Sequence, residues 1–149
     1  MSENKEFSQK LYDENDTAGD KRLRELFDGS KYTLRRVKKY GVDFEVYKDN
    51  KHIGYIEVEV KLGWNAHKYP FSDVRFPKRK GKFLKLDKRT YFVMFNKDLS
   101  RHLAVLERTM AMAPVVHVDT KYMKNEPFFA VALENVVWDK FSNLSKSTS

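Results

Sequence analysis

The apolar positions of the chain alternate most regularly between Val42 and Lys61. In Val42-Asp43-Phe44-Glu45-Val46-Tyr47 the apolar set is Val42, Phe44 and Val46, and Asp43, Glu45 and Tyr47 take the other side. Lys48-Asp49-Asn50-Lys51 has the composition of a turn. The pattern then resumes, with Ile56, Val58 and Val60 pointing one way and Glu57, Glu59 and Lys61 the other. Period-two alternation on both sides of a polar break predicts a β-hairpin. A three-residue loop centred on Asn50 or Lys51 pairs Asp43 with Glu57 or with Glu59. Either register gathers the carboxylates on one face, outside the core, because a one-residue slip would bury them.

Around the hairpin the period changes. Thr17-Ala18-Gly19-Asp20 reads as a capping box, with Thr17 as N-cap and Asp20 at the third helical position. It predicts a helix that buries Leu23, Leu26 and Phe27 and stops near Gly29. Residues 31–37 read as a strand interrupted by bases. Residues 62–77 show no period and read as a long loop carrying Trp64, His67, Tyr69 and Phe71. Pro77 opens either a short helix to about Leu86, anchored by Phe83, Leu84 and Leu86, or an extended basic strand, since Gly81 opposes a helix. Further strands are predicted at 90–95, 102–107, 115–118 and 128–133. A helical turn over 108–113 is stopped by Pro114, and 134–141 form a terminal apolar dock. Residues 1–16 read as a flexible polar N-terminus, 17–141 as a single domain and 142–149 as a disordered tail.

Composition narrows the classes. A chain of 149 residues with 41% hydrophobic residues can bury one core. The absence of cysteine excludes a disulfide framework and a thiolate metal site, and suits a reducing, cytoplasmic setting. The N-terminus is too polar for a signal peptide and no apolar run reaches membrane-spanning length, so no membrane partner is expected. The net charge of +8 is unevenly placed: residues 1–30 carry −3, whereas 75–89 carry +7. Such a block suggests a polyanion partner, with Arg75, Lys78, Arg79, Lys80 and Lys82 as nucleic-acid contacts and Arg79 and Lys80 foremost among them. His52, His67, His102 and His117 form no metal-spaced pair and read as structural or solvated. Phosphate-binding glycine loops and Gly-x-Ser-x-Gly are absent, which leaves nucleotide-hydrolase and serine-hydrolase chemistry without support.

Two carboxylates side by side can hold a hard cation such as Mg²⁺ or Mn²⁺, and an ammonium beside them can assist attack on a phosphodiester. Asp43 followed by Glu59-Val60-Lys61 resembles the signature of the PD-(D/E)xK nuclease superfamily, an acid at the start of one strand and (D/E)-x-K on the next. The motif's proline is missing, with Val42 in its place. The resemblance implies an α/β fold with a restriction-endonuclease-like core, a central mixed β-sheet flanked by helices. It implies Asp43, Glu59 and Lys61 as catalytic residues, and Asp43, Glu59 and the Val60 carbonyl as ligands of Mg²⁺ or Mn²⁺. The implied activity is phosphodiester hydrolysis, on DNA rather than RNA. Glu25, on the N-terminal helix, and Glu57 are candidate additional acids. Cutting both strands of a duplex needs two sites, which points to a homodimer. The same alternation also describes the solvent face of a half-exposed strand. Two other classes therefore stay open: a non-catalytic nucleic-acid-binding module, and a structural or regulatory protein that binds an acidic partner.

Overall fold

The structure, a computed structural model, describes residues 18–37 and 41–140. The expected N-terminal segment 1–16, the cap Thr17, Phe141 and the tail 142–149 lie outside the described residues. Helix α1 covers residues 18–27 and buries Leu23 and Phe27, with Leu26 half-buried, on the expected face. Strands β1 (Tyr32–Arg36), β2 (Phe44–Lys48) and β3 (Lys51–Val60) form an antiparallel meander. β1 is an edge strand in which Leu34 alone is buried, which accommodates the bases around it.

Residues 62–77 are not all loop. Asp73–Pro77 form β4, whose Val74 and Phe76 are buried, and Pro77 stands at the end of an edge strand, a position that tolerates its missing N–H. The following basic segment is neither an α-helix to Leu86 nor a strand. Lys78–Phe83 is a 3₁₀ turn, because Gly81 disfavours a longer helix and Phe83 is the one residue in it that is buried. β5 (Arg89–Phe95), β6 (His102–Leu106), the short helix α2 (Glu107–Ala111), β7 (Val115–Val118), β8 (Glu126–Ala132) and β9 (Val137–Trp138) complete the chain. β8 starts two residues before its predicted limit because the turn closes earlier, at Asn125, whose φ is +52°.

The strands make two sheets. The first has the order β1-β2-β3-β5-β6-β9 and is mixed, β3 and β5 being parallel and the other pairs antiparallel. The second, β4-β8-β7, is antiparallel. β5 is apolar on both sides and divides the core. Its Tyr91, Val93 and Phe95 join Leu23 and Phe27 of α1 with Phe44, Val46, Ile56 and Val58. Its Phe92 and Met94 join Val74, Phe76, Phe129 and Val131 of the second sheet, with Trp64, Phe83 and Met110. Each fully buried large side chain here contributes about 1.5–3 kcal/mol. The molecule is thus α/β with a central mixed sheet; of the expected flanking helices α1 covers one face, and a three-stranded sheet covers the other.

That second sheet also corrects the expectation of an open acid face. Glu57 and Glu59 pair with Phe92 and Met94 along the parallel ladder, so they point toward the second sheet. Val42 does not share the face of Phe44 and Val46 either. It precedes β2, follows Gly41 with its φ of +80°, and turns into the cluster under the second sheet.

The hairpin loop is shorter than expected. Asp49 and Asn50 make a two-residue turn with φ of +52° and +63°, the conformation whose twist suits tight hairpins. Taken alone, that turn would set Asp43 opposite Ile56. The register instead shifts between Val46 and Tyr47, where Ile53 is an unpaired extra residue on β3. The shift restores Phe44 opposite Ile56 and so brings Asp43 opposite Glu57. Because both turn residues are left-handed, Asn50→Val should destabilise the protein by about 1–2 kcal/mol and Asn50→Gly should be neutral or mildly stabilising. Urea unfolding of the two variants checks this; equal stability of both would mean the turn conformation is wrong.

Candidate functional site

The acids meet at one end of the central sheet, where β2 begins and β3 and β5 end. Gly19 brings the start of α1 to the same end: a Cβ there would lie 3.1 Å from Val60 Cγ2. Asp43 and Glu57 grip each other's strands. The Val58 N–H donates to Asp43 Oδ2 at 2.8 Å, and the Asp43 N–H donates to Glu57 Oε2 at 3.1 Å. The second Glu57 oxygen accepts from Lys80 Nζ, which reaches across from the 3₁₀ turn. This pair is largely desolvated, with side chains 13% and 8% exposed for Lys80 and Glu57.

Arg36, at the end of β1, joins the cluster to the helix. Its Nη1 donates to Asp20 Oδ2 at 2.6 Å and to Asp43 Oδ1 at 3.3 Å. The helix acid at this end is therefore Asp20. Glu25, the expected one, is exposed and pairs with Arg22 at 3.1 Å. Asp20 sits at the position read as a capping acid and Arg36 at one read as a strand-breaking base, so neither carried a sequence signal for the site. Lys80 was read as one base of a grip, with nothing to mark it as the partner of Glu57.

Glu59 is two residues along the same face. Its Oε1 is shut off from solvent and has no hydrogen-bond partner among the described residues. Burial pushes its carboxyl up, against the opposing charges of Lys80, Lys61 and Arg79. Burial together with the Asp43 charge pushes Glu57 up to about 7, with Lys80 acting against the rise. Burial likewise raises Asp20 to about 6, against the pull of Arg36. Val60 occupies the last rung of the β3–β5 ladder, opposite Phe95. Lys61 follows it, and its ammonium lies over the Phe71 ring, 5.0 Å from the centroid. There it borders a cavity of about 230 Å³ with Tyr69, Asp73 and Arg75.

Of the five bases expected on nucleic acid, Lys78, Arg79 and Lys82 are exposed. Arg75 pairs with Asp73 at 3.0 Å and Lys80 is turned inward to Glu57. The histidines are elsewhere: His52 stacks between Tyr47 and Tyr55, His102 is buried beside Phe95, and His67 and His117 are exposed. A cleft of about 700 Å³ lies at the opposite end of β3, between the hairpin turn and residues 86–89. Its four bases, Lys48, Lys51, Lys88 and Arg89, face three acids, Asp49, Asp87 and Glu107, and Glu107 already holds Arg89 at 2.9 Å. The chemistry therefore points to the acid end rather than to this cleft.

The donors suit a hard cation. They are carboxylate oxygens, and one oxygen of Glu59 is buried without a hydrogen-bond partner among the described residues. Asp43, Glu57 and Glu59 would hold Mg²⁺ or Mn²⁺. Among the described residues no three such donors already converge as a ligand set, so the carboxylates would have to reorient to share one ion.

Asp20 provides a test of the electrostatics. Its carboxyl is raised from 3.8 to about 6 in the folded chain. A raised acid binds its proton more tightly when folded, so its contribution is full below about pH 3.8 and is lost as pH rises through 6. Asp20→Asn should remove about 1 kcal/mol of the stability lost between those limits, after allowance for the solvent around the exposed Arg36. Urea unfolding at about pH 4, 5.5 and 7 compares the two proteins. Parallel pH dependence in both would show that Asp20 does not titrate abnormally.

Compared with protein-family models and with curated proteins, the chain matches none.

Proposed function

We propose that the protein is a metal-dependent nuclease of the PD-(D/E)xK type that hydrolyses phosphodiester bonds, in DNA rather than RNA. The observation that carries this reading is the docking of Asp43, at the entry of β2, onto β3 opposite Glu57 with Glu59 beside it. The wider setting supports it. An acid stands at the start of one strand and Glu59-Val60-Lys61 at the end of the next, in a mixed sheet with a helix on one face, the arrangement implied by a restriction-endonuclease-like core.

Each group has a task in that reaction. Asp43, Glu57 and Glu59 would hold the cation, with the Val60 carbonyl as a further oxygen at the strand end. A bound Mg²⁺ or Mn²⁺ supplies charge for the phosphate and lowers the pKa of attacking water. Lysine charge at the cluster offsets the charge that develops on the phosphoryl oxygens. Lys78, Arg79 and Lys82 lie on the exposed part of the 3₁₀ turn that also carries Lys80. They would hold the backbone and counter repulsion between the acids and the phosphates. A second copy of the chain would supply the second cut in a duplex.

A second reading is a nucleic-acid-binding module without catalysis. The lack of three converged donors among the described residues and the ammonium already on Glu57 favour it. Incubation with duplex DNA, single-stranded DNA and RNA, with Mg²⁺, Mn²⁺ or chelator, separates the two. The nuclease reading expects metal-dependent cutting that falls by at least about 100-fold in Asp43→Ala and in Glu59→Ala, with DNA affinity kept or raised. Binding without cutting under every metal condition would leave the second reading. Arg79→Ala should weaken DNA binding and reduce the salt slope by about one counterion while cutting survives at high protein concentration. An unchanged affinity and slope would remove the 3₁₀ turn from the interface.

A further inference from the structure

Two lysines compete for one role at the acid cluster, and their surroundings differ. Lys61 belongs to the motif, yet its ammonium lies over Phe71, a ring 41% exposed, at the mouth of the small cavity. Lys80 is nineteen positions further along the chain and outside the motif. Its ammonium is held on Glu57, the carboxylate that Asp43 faces, and the pair is almost closed to water. Its placement is also better determined. Pro77 ends β4 at the second sheet, buried Phe83 anchors the far end of the 3₁₀ turn, and Lys80 stands between them.

We propose that Lys80 is the working ammonium of the acid cluster, the role that the sequence motif gives to Lys61. The proposal deepens the nuclease reading and rests on it only for the catalytic step. Lys80 is the resident counter-ion of Glu57. A divalent cation on Glu57 Oε1 would bring its charge within a few ångströms of the ammonium, and the repulsion between the two would favour displacing Lys80. Once displaced, the ammonium stays within one side-chain length of the cluster, where a bound phosphodiester would present its charge. Lys80 would thereby change partners, giving up Glu57 to a bound cation and taking the phosphate in its place. No covalent bond to the protein forms or breaks. Lys61 remains beside Glu59 as a contributor to the field, not as the group that meets the phosphate.

Three measurements test this on the full chain. Mn²⁺ titration followed by electron paramagnetic resonance should show about tenfold tighter binding in Lys80→Met, from which the competing ammonium is gone, and less than twofold change in Lys61→Met. In the wild type, acylation by a water-soluble succinimidyl ester, read by mass spectrometry, should be slow at Lys80 and rise severalfold when Mg²⁺ is added. Lys61 should not change. This second measurement needs no variant and decides the matter if Lys80→Met fails to fold. In cleavage, Lys80→Met should lose at least about 100-fold in kcat with KM for DNA within about threefold, and Lys61→Met less than tenfold. If Lys61→Met is the dead variant and Lys80 reactivity ignores Mg²⁺, the proposal is overturned while the nuclease reading stands. If the wild type cuts nothing yet Mg²⁺ releases Lys80, the nuclease reading fails and the counter-ion role survives. No Mn²⁺ binding by the wild type overturns both.

Discussion

A carboxylate buried between two sheets has to be neutralised, and Glu57 sets the terms for much of what surrounds it. Its desolvation is several kcal/mol if left unpaired, and loss of one partner of such a pair typically costs about 3–5 kcal/mol. Lys80 meets that need, but it can do so only because β4 is packed over the face that Glu57 occupies and the 3₁₀ turn follows at once. The ion pair therefore acts as a clasp between the two sheets as well as a piece of candidate chemistry. The rings of Phe76 and Phe92, 5.8 Å apart between centroids, pack beside it in the apolar cluster that joins the two sheets.

The rest of the acid end follows a similar logic of compensation. Arg36 lies between Asp20 and Asp43 and stacks its guanidinium near the Phe44 ring, 5.4 Å from its centroid. Helix, edge strand and central hairpin are thereby tied through charge at one end. At the other end the hairpin closes with aromatic stacking around His52.

Most of the central sheet was legible because its signal is local. The alternation in 43–47 and 56–60, the spacing of Leu23, Leu26 and Phe27 and the apolar run at 91–95 each give a local signal without help from distant residues. What was hidden came from tertiary context. Asp73–Pro77 is too short to assert alternation against its proline and charged neighbours, and only its pairing with β8 makes it a strand. With β4 unseen, nothing indicated that a second sheet covers Glu57 and Glu59, nor that Lys80 returns to meet them. The acids of the hairpin could be grouped by parity alone. The partners of those acids, Asp20, Arg36 and Lys80, could not, because they are brought in from three other elements.

The unpaired residue in the hairpin has a bearing on how such a site can be found in other chains. Ile53 is slack in the ladder: without it, every rung from Val46–Gly54 to Phe44–Ile56 could keep the same partners in a regular strand. The number of residues separating Asp43 from Glu57 is consequently free to differ by one while the two carboxylates still face each other. Counting along the chain is then a poor yardstick for kinship. Distant cousins of this hairpin would be discerned by which side chains stand across from one another, and a search that demands a constant interval would pass them by.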